Sequence, residues 1–332
     1  MESLEQILEK CESIKNLTIF DSFIKSAPKL EIKNRIVCMI SGGADSDILL
    51  DIFAKLDTER RVKYIFFDTG IEYEATKRHL DFLEEKYNIT IERVKAPVPV
   101  PLGVRRYGLP FWSKFVSEMI YRLQRHDFKW EDKPYEELIK IYPNCKTALK
   151  WWCNEAGEKS RFNISHVRWL KEYMIANPPQ FKISARCCEG AKKNVSKKYL
   201  NDYNADLHLL GLRKAEGGAR STVHKTCFSA ASDTIAYDRY RPIFWYSDED
   251  KKEYEQLFDV THSECYTKYG LERTGCAGCP FGKRYEQEIE ICRKHEPKLY
   301  KGISKIFEKS YDYTRGFEEF RKKMNEEQSR LG

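Results

Sequence analysis

A chain of 332 residues holds about two domains at roughly 150 residues each, and 41% hydrophobic with 13% aromatic residues supplies real cores, which excludes a wholly disordered chain. No stretch approaches the ~20 uninterrupted apolar residues of a membrane helix, and Glu2, Glu5, Glu9, Glu12 and Asp21 break up the N-terminal segment, so neither a membrane span nor a signal peptide is expected and the chain reads as cytoplasmic. The formal charge of +7, from 58 Lys and Arg against 51 Asp and Glu, permits polyanion binding without demanding it.

Taken in chain order, residues 1–34 carry Leu4, Ile7 and Leu8, then Phe20, Phe23 and Ile24, at helical spacing, and read as an N-terminal extension of one or two short helices. Ile36-Val37-Cys38-Met39-Ile40 is an apolar run of strand length. It is followed by Ser41-Gly42-Gly43-Ala44-Asp45-Ser46, and then by Ile48, Leu49, Ile52, Phe53 and Leu56 at helical spacing. A second unit repeats the alternation, with Tyr64 to Phe67 as strand, the turn Asp68-Thr69-Gly70, a helix over about 72–87 and a third strand near 89–94. Such alternation predicts an α/β fold, a doubly wound parallel sheet with helices on both faces.

Residues 35–103 form the first part of this domain. It closes at Pro97-Val98-Pro99-Val100-Pro101, because three prolines in five residues are expected to exclude a helix or a central strand. Residues 104–182 differ in composition, with 15 Lys and Arg against 9 Asp and Glu, a balance of +6, and with Trp112, Trp130, Trp151, Trp152 and Trp169, five of the six tryptophans. This basic, helical insert has three readings: a nucleic-acid surface of cations and stacking faces, a self-contained core around the tryptophans, or a docking face for a protein partner. The second part of the domain spans 183–282, with a strand from Asp206 to Leu210 leading into Gly211-Leu212-Arg213. Charged helices fill 283–332.

A strand that ends in Ser-Gly-Gly-x-Asp-Ser and opens directly into a helix places backbone N–H groups and two hydroxyls around an anion at the positive end of the helix dipole. Gly42 and Gly43 allow close approach of phosphate oxygens, and Ser41 and Ser46 are donors. Neither the GxxxxGK[ST] loop nor the GxGxxG fingerprint occurs. The loop resembles that of the PP-loop superfamily of adenine-nucleotide alpha hydrolases. The resemblance implies that Ser41, Gly42, Gly43, Ala44, Asp45 and Ser46 hold the phosphates of ATP or the phosphosulfate of an activated sulfate, with Asp45 assisting a Mg²⁺ ion.

Eleven cysteines in a cytosolic chain point to metal or redox chemistry over a disulfide framework. Cys187-Cys188 and Cys276-x-x-Cys279 together satisfy the count for a zinc site or a [4Fe-4S] cluster. Their flanks resemble the adenylylsulfate (APS) and phosphoadenylylsulfate (PAPS) reductase family. The stretch from the cysteine pair through Lys192 and Lys193 to Gly211-Leu212-Arg213 and Arg220, the Arg-Pro-Ile-Phe-Trp segment at 241–245, the Gly-Cys-x-x-Cys at 275–279 and Asp68-Thr69-Gly70 with Thr76 stand in the family's order. The resemblance covers about 35–96 and 181–283. It implies that Cys187, Cys188, Cys276 and Cys279 ligate a [4Fe-4S] cluster, that Asp68, Thr69 and Gly70 belong to the nucleotide site, and that Arg213 and Arg220, with Asp45, carry the catalysis. Cys38 reads as a buried small hydrophobe, Cys265 as an alternate ligand and Cys227 as a lining residue.

The family's Glu-Cys-Gly-(Ile/Leu)-His tail, whose thiol attacks sulfur, has no counterpart in the closing FEEFRKKMNEEQSRLG. The expectation is therefore an ATP pyrophosphatase that adenylates a substrate for sulfur transfer. The alternatives are an APS or PAPS reductase using Cys265 or Cys292, and a non-catalytic regulator that binds nucleotide and cluster. The expected partners are an adenine nucleotide, a sulfur-donor protein and nucleic acid at 104–182, with no membrane.

Overall fold

Ile36–Ile40, apolar at every position, forms β1 at the centre of a sheet whose other strands are β2 (Val62–Asp68), β3 (Ile91–Lys95), β4 (Leu207–Leu210), β5 (Phe228–Ser229) and β6 (Asp238–Tyr240). Their order is β3-β2-β1-β4-β6-β5, parallel throughout except for β5, which runs antiparallel to β6. The computed structural model describes residues 2–217, 223–282 and 284–331. It divides into one unit of Met1–Ala96 with Lys192–Cys276 and a second of Pro97–Ala191 with Ala277–Gly332.

In the first unit the period-2 alternation of the strands sorts side chains between two layers. Ile36, Cys38, Ile40, Tyr64, Phe66, Leu207 and Leu209 pack on one side with the helix Ala44–Leu56, the helix Glu74–Tyr87 and the N-terminal helices Leu4–Ser13 and Leu17–Ile24. Val37 and Ile65 face the other way, onto Leu200 of the helix Asn194–Asp202. Cys38 is fully buried in the first of these layers, and burial pushes its thiol well above the usual range, so it behaves as a hydrophobe. Helices on both faces of a mostly parallel sheet match the expected α/β class.

The sheet has one topological switch point: from β1 the chain continues to β2 on one side, while β4 lies on the other. Ligands of open α/β sheets bind where such a reversal leaves a crevice at the carboxyl ends of the strands. The Ser41–Ser46 loop follows β1, and Gly211-Leu212-Arg213 follows β4, at that crevice.

The second unit buries Phe111, Met119, Ile120, Leu123, Leu149, Leu170, Met174 and Phe317 around Trp151 and Trp152, which are 1% and 0% exposed. Trp112 and Trp130 pack against this core, while Trp169 donates from Nε1 to Asn325 Oδ1 at 2.9 Å. Trp151 and Trp152 thus serve packing, as in the second of the three readings of the insert, while Trp112, Trp130 and Trp169 are half-buried. The proline expectation needs correction. Helix Val100–Tyr107 begins directly after Pro99 and carries Pro101 in its first turn, where a missing N–H costs nothing because that donor has no intrahelical acceptor. Among the described residues no helix is long and apolar enough to cross a membrane.

Candidate functional site

The loop after β1 is shaped by its own side chains. Ser46 Oγ accepts the N–H of Ser41 at 3.2 Å and of Gly43 at 3.1 Å, and donates to the Gly43 carbonyl at 2.7 Å. Gly42 holds φ +66°, a left-handed conformation suited to glycine, and a Cβ there would lie 2.6 Å from Thr76 Cγ2. Helix Ala44–Leu56 then starts, with the Ser46 and Asp47 N–H groups both donating to the Gly43 carbonyl, at 2.8 and 3.0 Å. Gly211 at the end of β4 passes so close that a Cβ would meet the Asp45 carbonyl oxygen at 2.9 Å. On the far side, Tyr266 Oη accepts the N–H of Ala44 and of Thr274, each at 3.2 Å.

A cavity of about 490 Å³ opens over this loop, with Arg213, Lys251, Arg273, Tyr266 and Thr274 on its walls beside Ser41 to Ser46. Arg213 is only 6% exposed. Its Nε lies 3.1 Å from both carboxylate oxygens of Asp45, and its Nη1 donates to Asp248 Oδ1 at 2.9 Å and to the Ser247 carbonyl at 3.1 Å. Burial opposes its charge, but the Asp45 and Asp248 carboxylates outweigh that and hold its pKa above the ordinary value. Lys251 Nζ sits 3.0 Å from the same Asp45 carboxylate. One carboxylate therefore holds two cations on the wall of this cavity, an arrangement suited to a polyphosphate.

Behind the loop, Asp47 is almost wholly buried and accepts from His262 Nδ1 at 2.8 Å, while His262 Nε2 meets Glu255 Oε1 at 2.9 Å. His79 Nε2 approaches Asp47 Oδ2 to 3.1 Å without hydrogen-bond alignment. Burial disfavours the His262 cation, but hydrogen bonds to Asp47 and Glu255 on its two nitrogens override it and raise its pKa to about 9. The folded value lies above the unfolded ~6.5, so this contribution to stability is complete below pH ~6.5 and disappears as pH rises through about 9. Urea unfolding at pH 6 and pH 9.5 is expected to show His262→Gln destabilised at the lower pH, with the gap to wild type narrowing by about 2 kcal/mol at the higher. A gap independent of pH would show that His262 is neutral in the fold.

The Asp68-Thr69-Gly70 turn ends β2, next to β1. Gly70 N donates to Asp68 Oδ1 at 2.8 Å, and the buried Thr69 hydroxyl donates to Glu72 Oε1 at 2.5 Å. Thr69 Oγ1 also lies 3.6 Å from Cys276 Sγ within the first unit. Cys187, Cys188 and Cys279 belong to the second unit. Cys187 is 3% exposed, and Cys188, Cys276 and Cys279 are half-buried. Four thiols suit an iron-sulfur cluster in donor type. Among the described residues no group of three or more His, Cys, Asp or Glu side chains is placed to hold a metal ion. Arg220 lies outside the described residues.

The phosphoadenosine phosphosulfate reductase domain matches residues 35–281, well over half of the chain. The chain belongs to this family. An uncharacterized protein of Methanocaldococcus jannaschii is 27% identical over 151 residues, 46% of this chain, and the match spans only 26% of that protein's length. Among solved structures, a PAPS reductase from Candida auris in a phosphate complex aligns with a TM-score of 0.44 at 12% identity, covering 83% of this chain and 96% of that one. An NH₃-dependent NAD synthetase from Campylobacter jejuni aligns at 0.36 and 13% identity, covering 94% and 96%. A U34-tRNA thiolase from Methanococcus maripaludis with its [4Fe-4S] cluster aligns at 0.36 and 12% identity, covering 90% and 79%.

Within this PAPS reductase-family domain, several site residues carry no sequence signal of their own. Lys251 sits in Asp248-Glu249-Asp250-Lys251-Lys252, which reads as a solvated helix start with Ser247 as its cap. Tyr266, Thr274 and Arg273 stand in the stretch that leads to the Cys-x-x-Cys. That stretch served only as flanking evidence for the cysteines, though its polar side chains close the crevice. His262 and Asp47 are 215 positions apart, and only the packing of helix Ala44–Leu56 makes them partners.

Proposed function

We propose that this chain is an ATP pyrophosphatase of the PAPS reductase family, which adenylates an acceptor for sulfur transfer. The observation that carries this reading is the cavity in which Asp45 holds Arg213 and Lys251 over the Ser41–Ser46 loop. The acceptor's oxygen attacks the α-phosphorus, the bond to the bridging oxygen of the β-phosphate breaks, and pyrophosphate leaves with the electron pair. Loop amides and the two cations neutralise charge on the departing pyrophosphate, so catalysis is positioning plus electrostatic stabilisation. Arg213 Nη2 makes no hydrogen bond among the described residues and faces this work with its neighbours already fixed. A Mg²⁺ ion carried by nucleotide phosphates needs only one or two protein carboxylates, a requirement Asp45 meets from the cavity wall.

Cys187, Cys188, Cys276 and Cys279 enter this reading as candidate ligands of a [4Fe-4S] cluster, on donor type and spacing. Such a cluster supplies an electron or sulfur-binding site; the phosphate chemistry above uses none of it. Cys265 and Cys292 are fully buried, which weighs against either as an attacking thiol in a reductase.

Anaerobically prepared protein incubated with ATP and Mg²⁺, with APS and with PAPS, thiol present throughout, is expected to release AMP and pyrophosphate from ATP. Sulfite from either sulfonucleotide overturns this in favour of a reductase. Tight nucleotide binding without turnover overturns it in favour of a regulator. Iron and sulfide analysis of the same preparation is expected to find about four of each per chain, and stoichiometric zinc without visible absorbance rules the cluster out.

A further inference from the structure

A second group of basic side chains, two arginines and a histidine, lies around the sheet face that carries Val37. His208 of β4 is the register partner of both Val37 and Arg239 of β6, so in this parallel ladder the two side chains share that face. Arg241 follows β6 directly and is 0% exposed, while His208 is 6% exposed. Arg241 Nη1 donates to Ser229 Oγ at 3.2 Å and reaches the Thr226 carbonyl at 3.5 Å. Among the described residues its Nε and Nη2 have no hydrogen-bond partner, and neither do His208 Nε2 and Arg239 Nε.

Among the described residues, Arg239 and Arg241 form no ion pair. The adjacent Asp238 is engaged elsewhere, by Lys33 Nζ at 2.8 Å and the Ala231 N–H at 2.8 Å. The charges of Arg241 and Arg239, after burial itself, depress the pKa of His208 to about 3 and lower that of His224, which places all four groups in one electrostatic neighbourhood. A buried guanidinium without a counter-charge costs several kcal/mol, whereas an apolar side chain of like size would cost nothing.

Nε–H and Nη2–H are the two parallel donors on the side edge of a guanidinium, the edge that grips a carboxylate, phosphate or sulfate bidentately. That edge is the unsatisfied one here, and Arg239 Nε and His208 Nε2, on neighbouring strands of one sheet face, are also unpartnered among the described residues. We infer that Arg241, His208 and Arg239 form a binding site for a tetrahedral oxyanion, sulfate or phosphate, distinct from the loop after β1. The chain from Arg241 continues through Pro242 to the Tyr246 and Ser247 carbonyls that hold Arg213, so the two anion sites share one short segment.

Calorimetric titration of the full chain with sodium sulfate, with sodium phosphate and with phenyl phosphate, at constant ionic strength, tests this. Saturable binding of sulfate or phosphate is expected, weakened about tenfold or more in Arg241→Met, and largely retained in Arg213→Met. Phenyl phosphate binding that depends on Arg241 assigns the site to an esterified group, and its absence beside inorganic binding assigns it to the free ion. Without anion, Arg241→Met is expected to unfold at the same or a higher temperature than wild type, because it removes an unpaired buried charge. Arg241→Lys, which keeps the charge and loses the fork, gives the same test should the methionine variant fail to fold. Sulfate binding that survives both Arg241 variants, that disappears only in Arg213→Met, or that never saturates overturns the inference. These outcomes are independent of whether ATP is cleaved.

Discussion

Gly42→Ala is expected to abolish nucleotide use, lowering affinity and turnover by about 10²-fold or more, because a displacement of about 1 Å at a positioning loop suffices for that. Two effects act together. The φ of +66° costs an L-residue roughly 1–2 kcal/mol, and the new Cβ would stand 2.6 Å from Thr76 Cγ2. Thr76 is 1% exposed in the first turn of helix Glu74–Tyr87, so it cannot swing into solvent to make room. The loop must move instead, and with it the Gly43 and Ala44 amides that Ser46 Oγ and Tyr266 Oη hold in place. Gly42→Ala with Thr76→Ser removes the clashing methyl but not the backbone strain, and should recover part of the binding measured by calorimetry. A double variant no better than the single one would refute the steric account, and unchanged binding in Gly42→Ala would remove this loop from the nucleotide site.

Arg213→Met carries the second large effect, on stability as well as catalysis. Removing one partner of a buried ion pair costs about 3–5 kcal/mol, since the other charge stays behind in a low-dielectric site. Lys251, 3.0 Å from Asp45, keeps that carboxylate from being wholly uncompensated, so a loss near 3 kcal/mol in chemical denaturation is expected. Arg213→Lys separates charge from geometry. An ammonium cannot reach Asp45, Asp248 and the Ser247 carbonyl at once as the planar fork does, so part of the stability should return while kcat stays roughly 10²–10³ below wild type. Pyrophosphate release followed alongside the denaturation curves checks both. Full activity in Arg213→Lys would mean that only net positive charge matters at this position, and an Arg213→Met variant as stable as wild type would mean that the pair with Asp45 is not formed in solution.

These two positions differ in how legible they were. Gly42 announces itself: strand, Gly-Gly and helix follow one another within a dozen residues, and each is dictated by local periodicity and backbone freedom. Arg213 could be placed after a strand, but its grip on Asp45 depends on β1 and β4 being neighbours, a pairing between residues about 170 apart. Strands β5 and β6 escaped sequence reading for a related reason. Asp238-Arg239-Tyr240 has no apolar run, and it becomes a strand only because β4 offers a parallel edge for it to join. The proline segment erred the other way, since a rule about helix interiors says nothing against a helix that starts inside it.

The sequence by itself determined the α/β class, the Ser-Gly-Gly loop between β1 and its helix, the family and the residue types of the four-cysteine set, because each rests on patterns a few residues long. Only the tertiary structure decided that Lys251, Tyr266 and Thr274 close the crevice, that His262 bridges Asp47 and Glu255, that Trp151 and Trp152 sit in a core, and that Arg241 lies buried with no counter-charge among the described residues. Those relations arise where sheet order and helix packing bring distant segments within hydrogen-bond reach, and no local pattern encodes which distant side chain arrives.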